Sequence, residues 1–242
     1  MRKAHKQDVL PLAERRFRDA VQAIVHTQAS PSDGDVLAEL GRIVGLEDAI
    51  SLSDLLAAGK KRGKVAGPGT TDAVTAQSVD AITTLVLQGR LQGLDIISAR
   101  FDGDHALIPG LKEPLMDDGL SPAQRLQRLY TGTQQELAVY LQTLRGQIQQ
   151  GLAGLSPSLA RLATLDDGIG QLIAAQLMSA LAAMPRILGD FCQRCMASSP
   201  EHWEAEVATA TRTLLVAELD LRLQPLLGLA EAVEEMTGVH RC

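Results

Sequence analysis

The chain has 242 residues, a net charge of −6, and a composition that is 45% hydrophobic but only 2% aromatic. That length can bury a core without disulfides or metals, and the mildly acidic balance argues against a dedicated binder of phosphate backbones. Three cysteines make no disulfide framework, and no apolar stretch follows Arg2, Lys3 and Lys6 to form a signal peptide, so a cytoplasmic protein is expected.

Strands favour aromatic and β-branched residues, whereas straight-chain residues lose little entropy in a helix. A chain rich in Ala, Leu and Gln therefore reads as all-α. Four regions are expected: a helical N-terminal region (1–58), a basic Gly-rich linker (59–69), a helix with an irregular connection (70–120) and an elongated antiparallel bundle of long helices (121–242).

The first helix is predicted from Asp8 to about Thr27, with Pro11 in its first turn and Phe17, Val21, Ile24 and Val25 on one face. A loop at Ala29–Gly34 precedes a short helix carrying Val36, Leu37, Leu40, Ile43 and Val44, and Ser51–Ala58 adds another. The linker GKKRGKVAGPG, with Lys60, Lys61, Arg62 and Lys64, cannot bury an apolar face. With the locally basic N-terminus (Arg2, Lys3, Lys6, Arg15, Arg16 and Arg18) it is a basic patch suited to anionic lipid or nucleic acid, a solvated face being the plainer reading, and it lacks P-loop spacing.

A helix is predicted over Thr71 to about Gln92, then an irregular stretch over 94–120 where Asp102, Asp104, Pro109, Pro114, Asp117 and Asp118 favour turns. Ser121-Pro122 gives an N-cap and first helical position in the expected order. Tyr130, Thr133, Leu137, Tyr140, Leu144 and Ile148 then alternate spacings of three and four, a heptad seam. Gly151 and Gly154 are expected to loosen its end.

Ser156-Pro157 opens a second long helix, kinked at Pro185. Its stretch Gly168–Pro185 carries no charge, yet holds Gln171, Gln176 and Ser179, and fits a helix buried on several sides better than a membrane span. Ser199-Pro200-Glu201 opens a third, which Pro225 is expected to break or bend before a last short helix running to about Thr237. Long helices joined by short loops run antiparallel and can extend their seams to a partner or a second copy.

Candidate chemistry is sparse. Cys192 and Cys195, three apart on a helix, share a face and could join His240 and Cys242 in a zinc site, or act as a redox pair. Buried structural thiols are the plainer reading, because the intervening helix leads the chain away from the C-terminus. The acidic pair Asp166/Asp167 suggests helix capping rather than metal binding. Glu218, Asp220 and Arg222 stand inside the apolar segment LLVAELDLRLQP, where Glu218 and Arg222 can pair at four residues apart. They are also docking candidates. No catalytic set and no cofactor motif emerges.

The segments LEDAISLSDLL (Leu46–Leu56), SPSLARLATL (Ser156–Leu165) and above all LLVAELDLRLQPLLGL (Leu214–Leu229) resemble a proteobacterial family of unknown function. That family carries an early "wLdwtdAisLS" element and a C-terminal "LLaELdvRlqPveGLl" signature, although the tryptophans of the early element are missing around Leu46. The resemblance covers about residues 36–58 and 121–235. Its genes lie in settings similar to small operons encoding a MotA/TolQ-type proton-channel subunit and an OmpA-like protein. The resemblance thus implies a non-enzymatic helical accessory to such a membrane complex, cytoplasmic or peripheral at the inner membrane.

Overall fold

The computed structural model describes residues 12–25, 76–101, 111 and 119–237. Every regular element among them is a helix: α1 (Leu12–Val25), α2 (Ala76–Phe101), α3 (Pro122–Leu155), α4 (Pro157–Leu181), α5 (Met184–Ser198) and α6 (Trp203–Thr237). The helices expected around Val36–Val44 and Ser51–Ala58, the basic linker, and the aspartates at 102, 104, 117 and 118 lie outside the described residues.

The two longest helices, α3 and α6, have 34 and 35 residues, about 50 Å each at 1.5 Å per residue. They form the frame. α6 packs against α2, α1 and α5, while α3 packs against α5, α2 and α4. One hydrophobic core runs through all six helices, from Phe17 and Val21 of α1 to Val233 of α6. The expected division between N-terminal region and bundle is therefore not a division of the core: α1 and α2 are built into it. Burying Phe17, Val21, Ile24 and Val25 contributes about 1.5–3 kcal/mol each.

Local chemistry explains the helix ends. Gly119 takes a left-handed φ of 64°, a conformation open to glycine, and turns the chain into α3. Ser121 then caps α3 in a full capping box: its hydroxyl accepts from the Gln124 amide, and the Gln124 side chain accepts from the Ser121 amide. Ser156 ends α3 and caps α4, accepting from the Leu159 amide. A single residue thus joins the two.

Four expectations need correction. α2 continues to Phe101, well past Gln92, because Gly89 and Gly93 are not stops. They let Leu144 of α3 and Leu219 of α6 approach its backbone closely. Gly151 and Gly154 stay inside α3. The helix expected to kink at Pro185 is instead two helices: α4 ends at Leu181, and Pro185 sits in the first turn of α5, where its missing N–H leaves no bond unmade. Conversely, Pro225 breaks nothing. α6 runs through it, held beyond the lost hydrogen bond by the buried Leu226, Leu229, Ala230 and Val233.

Candidate functional site

From Leu214 to Leu223 no residue of α6 is exposed. A charge in this stretch must therefore find its partner inside the protein. Glu218 and Asp220 are two residues apart, about 200° around a helix, so their carboxylates leave α6 on opposite sides.

Glu218 points to α3. Its Oε2 accepts the Tyr130 hydroxyl at 2.7 Å and the Gln134 side-chain amide at 3.0 Å, and its Oε1 accepts Nη2 of Arg222. Tyr130 and Glu218 are both 0% exposed. Burial, then the neighbouring Glu218 charge, pushes the Tyr130 phenol well above its usual range, so it is a committed donor.

Asp220 faces α1 and α2. Nε of Arg90 donates to Oδ1 at 2.7 Å; Nη2 of Arg90 and Nη1 of Arg16 donate to Oδ2 at 3.3 and 3.2 Å. The Asp220 bond raises the Arg90 pKa. Glu218, Asp220 and Arg222, read from sequence first as a structural ion pair and second as docking residues, thus bind within the protein, Glu218 to α3 and to Arg222, and Asp220 to α1 and α2. The expected Glu218–Arg222 pair is present.

Above the Glu218–Arg222 pair lies a groove of about 430 Å³ between α3 and α4, floored by α6. Its walls are Ala138, Leu141, Gln142 and Arg145 on one side and Asp167, Gly170, Gln171, Ala174, Leu177 and Met178 on the other, with Arg222, Pro225 and Leu226 below. The Nε of Arg222 has no hydrogen-bond partner among the described residues. One end is fixed by Asp166 of α4, which accepts Nε and Nη2 of Arg145 at 3.0 and 3.2 Å and the Gln149 amide at 3.0 Å. Asp166 therefore does not cap a helix start; it lies within α4 and pins α4 to α3.

The charge-free stretch was expected to be enclosed on several sides. α4 instead packs chiefly on α3, with a lesser contact to α6. Ala174 is exposed, Met178 is 52% exposed, and Val139 on α3 is 66% exposed. No described helix is long and apolar enough to cross a membrane.

Cys192 and Cys195 lie buried in α5. Burial pushes the thiols up to about 11 and about 12, Cys195 further raised by Glu206. Metal ligation and thiol exchange both need the thiolate, so this setting holds the pair neutral. His240 and Cys242 lie outside the described residues, as do Lys60, Lys61, Arg62 and Lys64. No group of three or more metal-ligating side chains gathers among the described residues.

The groove was not legible in the sequence. Its one signal was the missing charge between Gly168 and Pro185, which marks a surface as well as it marks a core.

A family model described as a protein of unknown function, DUF3348, matches residues 4–235, and the chain belongs to that family. No curated protein and no solved structure matches it.

Proposed function

We infer that the protein is a non-enzymatic helical interaction protein that seats a partner's helix in the groove between α3 and α4. One observation carries this: α4, packed mainly on one neighbour and without charge from Gly168 onward, leaves apolar side chains in water beside an open groove. Exposed apolar surface of this kind marks interaction sites, and a groove between helices accepts a further amphipathic helix at i, i+3, i+4 spacing. Met178 suits such a wall because its flexible thioether adapts to the surface it meets. The small side chains of Ala138 and Ala174 would let a partner backbone come close.

The polar groups around the groove support binding over catalysis. Arg145 is spent on Asp166, Arg222 on Glu218, and Asp167 accepts from Gln171, so the charges beside the groove are already engaged. The sequence resemblance directs the search to a MotA/TolQ-type proton-channel subunit or an OmpA-like protein, and so to the cytoplasmic side of the inner membrane.

The test is affinity purification of the tagged protein from its native host in mild detergent, run beside an Ala174→Arg variant. Recovery of a channel subunit with the native chain, lost in a variant of unchanged helicity by circular dichroism, supports the reading. Equal recovery with both chains, or none with either, ends it.

A further inference from the structure

On the opposite side of α6 from the groove, Asp220 has drawn two guanidiniums to one carboxylate. Both of its oxygens are taken, by Arg16 and by both donating nitrogens of Arg90. One positive charge is left over. Nε and Nη2 of Arg16 and Nη1 of Arg90 carry no partner among the described residues, and the two side chains remain 55% and 38% exposed.

This bridge floors a recess of about 220 Å³ where α1, α2 and α6 meet. Its rim is apolar: Leu12, Leu87 and Leu227 line it, at 61%, 54% and 36% exposure. Leu91, one turn along α2 from Leu87, is 61% exposed. Leucines this open around a cation are a poor arrangement for water alone.

We propose that this recess is a second docking site, for an amphipathic helix of a protein partner that carries a carboxylate within its apolar face. The carboxylate reaches the spare guanidinium donors, and apolar residues one turn either side cover the leucines. Such a bond is charge-assisted and, at a guanidinium, geometrically selective. The recess favours a side chain over a bilayer because Asp220 holds the two arginines at fixed positions with one charge uncompensated, which matches a single carboxylate rather than a layer of phosphates.

The test uses two synthetic helical peptides with a leucine face, identical except for glutamate or lysine at its centre. Alongside them run vesicles of phosphatidylglycerol and four full-length chains: native, Arg16→Gln, Arg90→Gln and Ala174→Arg. Binding is read by fluorescence anisotropy for the peptides and by co-sedimentation for the vesicles.

The native chain is expected to bind the glutamate peptide at least tenfold tighter than the lysine peptide, on the order of a charge-pair contribution. Arg16→Gln, at an exposed position that leaves the Arg90–Asp220 bond intact, should remove that preference without changing helicity, and so should Arg90→Gln if it folds. Ala174→Arg should bind as the native chain does, which separates this site from the α3–α4 groove. Equal binding of the two peptides, binding of neither, or an Arg16-dependent preference for the vesicles overturns the proposal.

Discussion

The Tyr130 hydroxyl donates to Glu218 across 88 positions of sequence, joining the N-terminal third of α3 to the centre of α6 where neither side chain meets water. With Arg222 and Gln134 on the same carboxylate, one charge specifies how the two longest helices register. A buried pair adds little over well-packed apolar residues, but breaking it leaves a bare charge inside. Replacing Glu218 by Leu, or Arg222 by Leu, is therefore expected to cost about 3–5 kcal/mol. Replacing both should cost less than either alone. Urea unfolding of the four chains measures this directly, and additive losses would show that the two side chains act independently.

The Tyr130→Phe change removes one charged hydrogen bond, an expected loss of about 1.5–3 kcal/mol at neutral pH. Its pH dependence has a definite sign. In the unfolded chain the phenol ionises near 10, whereas in the fold burial and Glu218 hold it protonated well above that. Between those two values the folded state binds more protons than the unfolded one, so stability must fall as pH rises above about 10. Cys192 and Cys195 add to that fall in the same direction, being raised to about 11 and about 12. The phenylalanine variant keeps their share and loses that of Tyr130. Its stability should decline less steeply with pH than the native chain's, as measured by chemical denaturation from neutral to alkaline buffer.

Raised thiol pKa values also predict reactivity. At pH 8 a thiol of pKa about 11 is thiolate on the order of one part in a thousand, and buried besides. Cys192 and Cys195 should resist iodoacetamide in the native state and react at once in urea, as followed by peptide mass spectrometry. Rapid native labelling, or stoichiometric zinc in protein purified without added metal, would favour the metal or redox reading of this pair.

Much of the architecture was written in local signals. Ser121-Pro122 and Ser156-Pro157 start helices because the serine hydroxyl satisfies an orphan amide and proline has none to satisfy. What the sequence misread were residues whose meaning depends on a neighbour. The end of α2 reads as near Gln92 because spacing does not show Leu144 and Leu219 packing on Gly89 and Gly93. Pro225 reads as a break until the core beyond it is counted. Glu218, Asp220 and Arg222 read first as a structural ion pair and only second as docking residues, since spacing gives the pair but not the depth. The groove depends on how α4 settles on α3, and periodicity does not encode that.

Those glycines give opposed predictions. Alanine is favoured over glycine within a helix by about 0.8–1 kcal/mol. At Gly132 and Gly146 of α3 an added Cβ meets nothing within 4 Å, so Gly132→Ala and Gly146→Ala should each raise stability by about that amount. At Gly89 the Cβ would stand 2.3 Å from a Leu144 methyl, and at Gly93 2.7 Å from one of Leu219, both leucines buried. Overpacking of this kind costs about 1–3 kcal/mol and should outweigh the gain in propensity. Thermal unfolding of the four variants should divide them into two raised and two lowered melting temperatures.

The attachment of α4 offers the sharpest contrast, because two glycines two residues apart should respond with opposite signs. Gly168 has open space around it, so Gly168→Ala is expected to stabilise by about 0.8–1 kcal/mol through helix propensity. At Gly170 an added Cβ would fall 1.9 Å from Nη1 of Arg145 and 2.3 Å from its Cζ. The guanidinium lies across α4 at this point and could not stay there. Displacing it takes both of its bonds from Asp166, a carboxylate only 9% exposed, which would then keep Gln149 alone. Arg145 is itself 19% exposed and can swing outward into water, so the loss should stay near the lower end for a broken buried pair, about 2–3 kcal/mol before the propensity gain is subtracted. The damage should also be local. Because α4 rests chiefly on α3, amide hydrogen exchange in Gly170→Ala should quicken along α4 while α1, α2 and the centre of α6 remain protected as in the native chain. Uniformly faster exchange would mean instead that α4 is no separable layer, and that the groove it walls is part of the same cooperative unit as the Tyr130–Glu218 core.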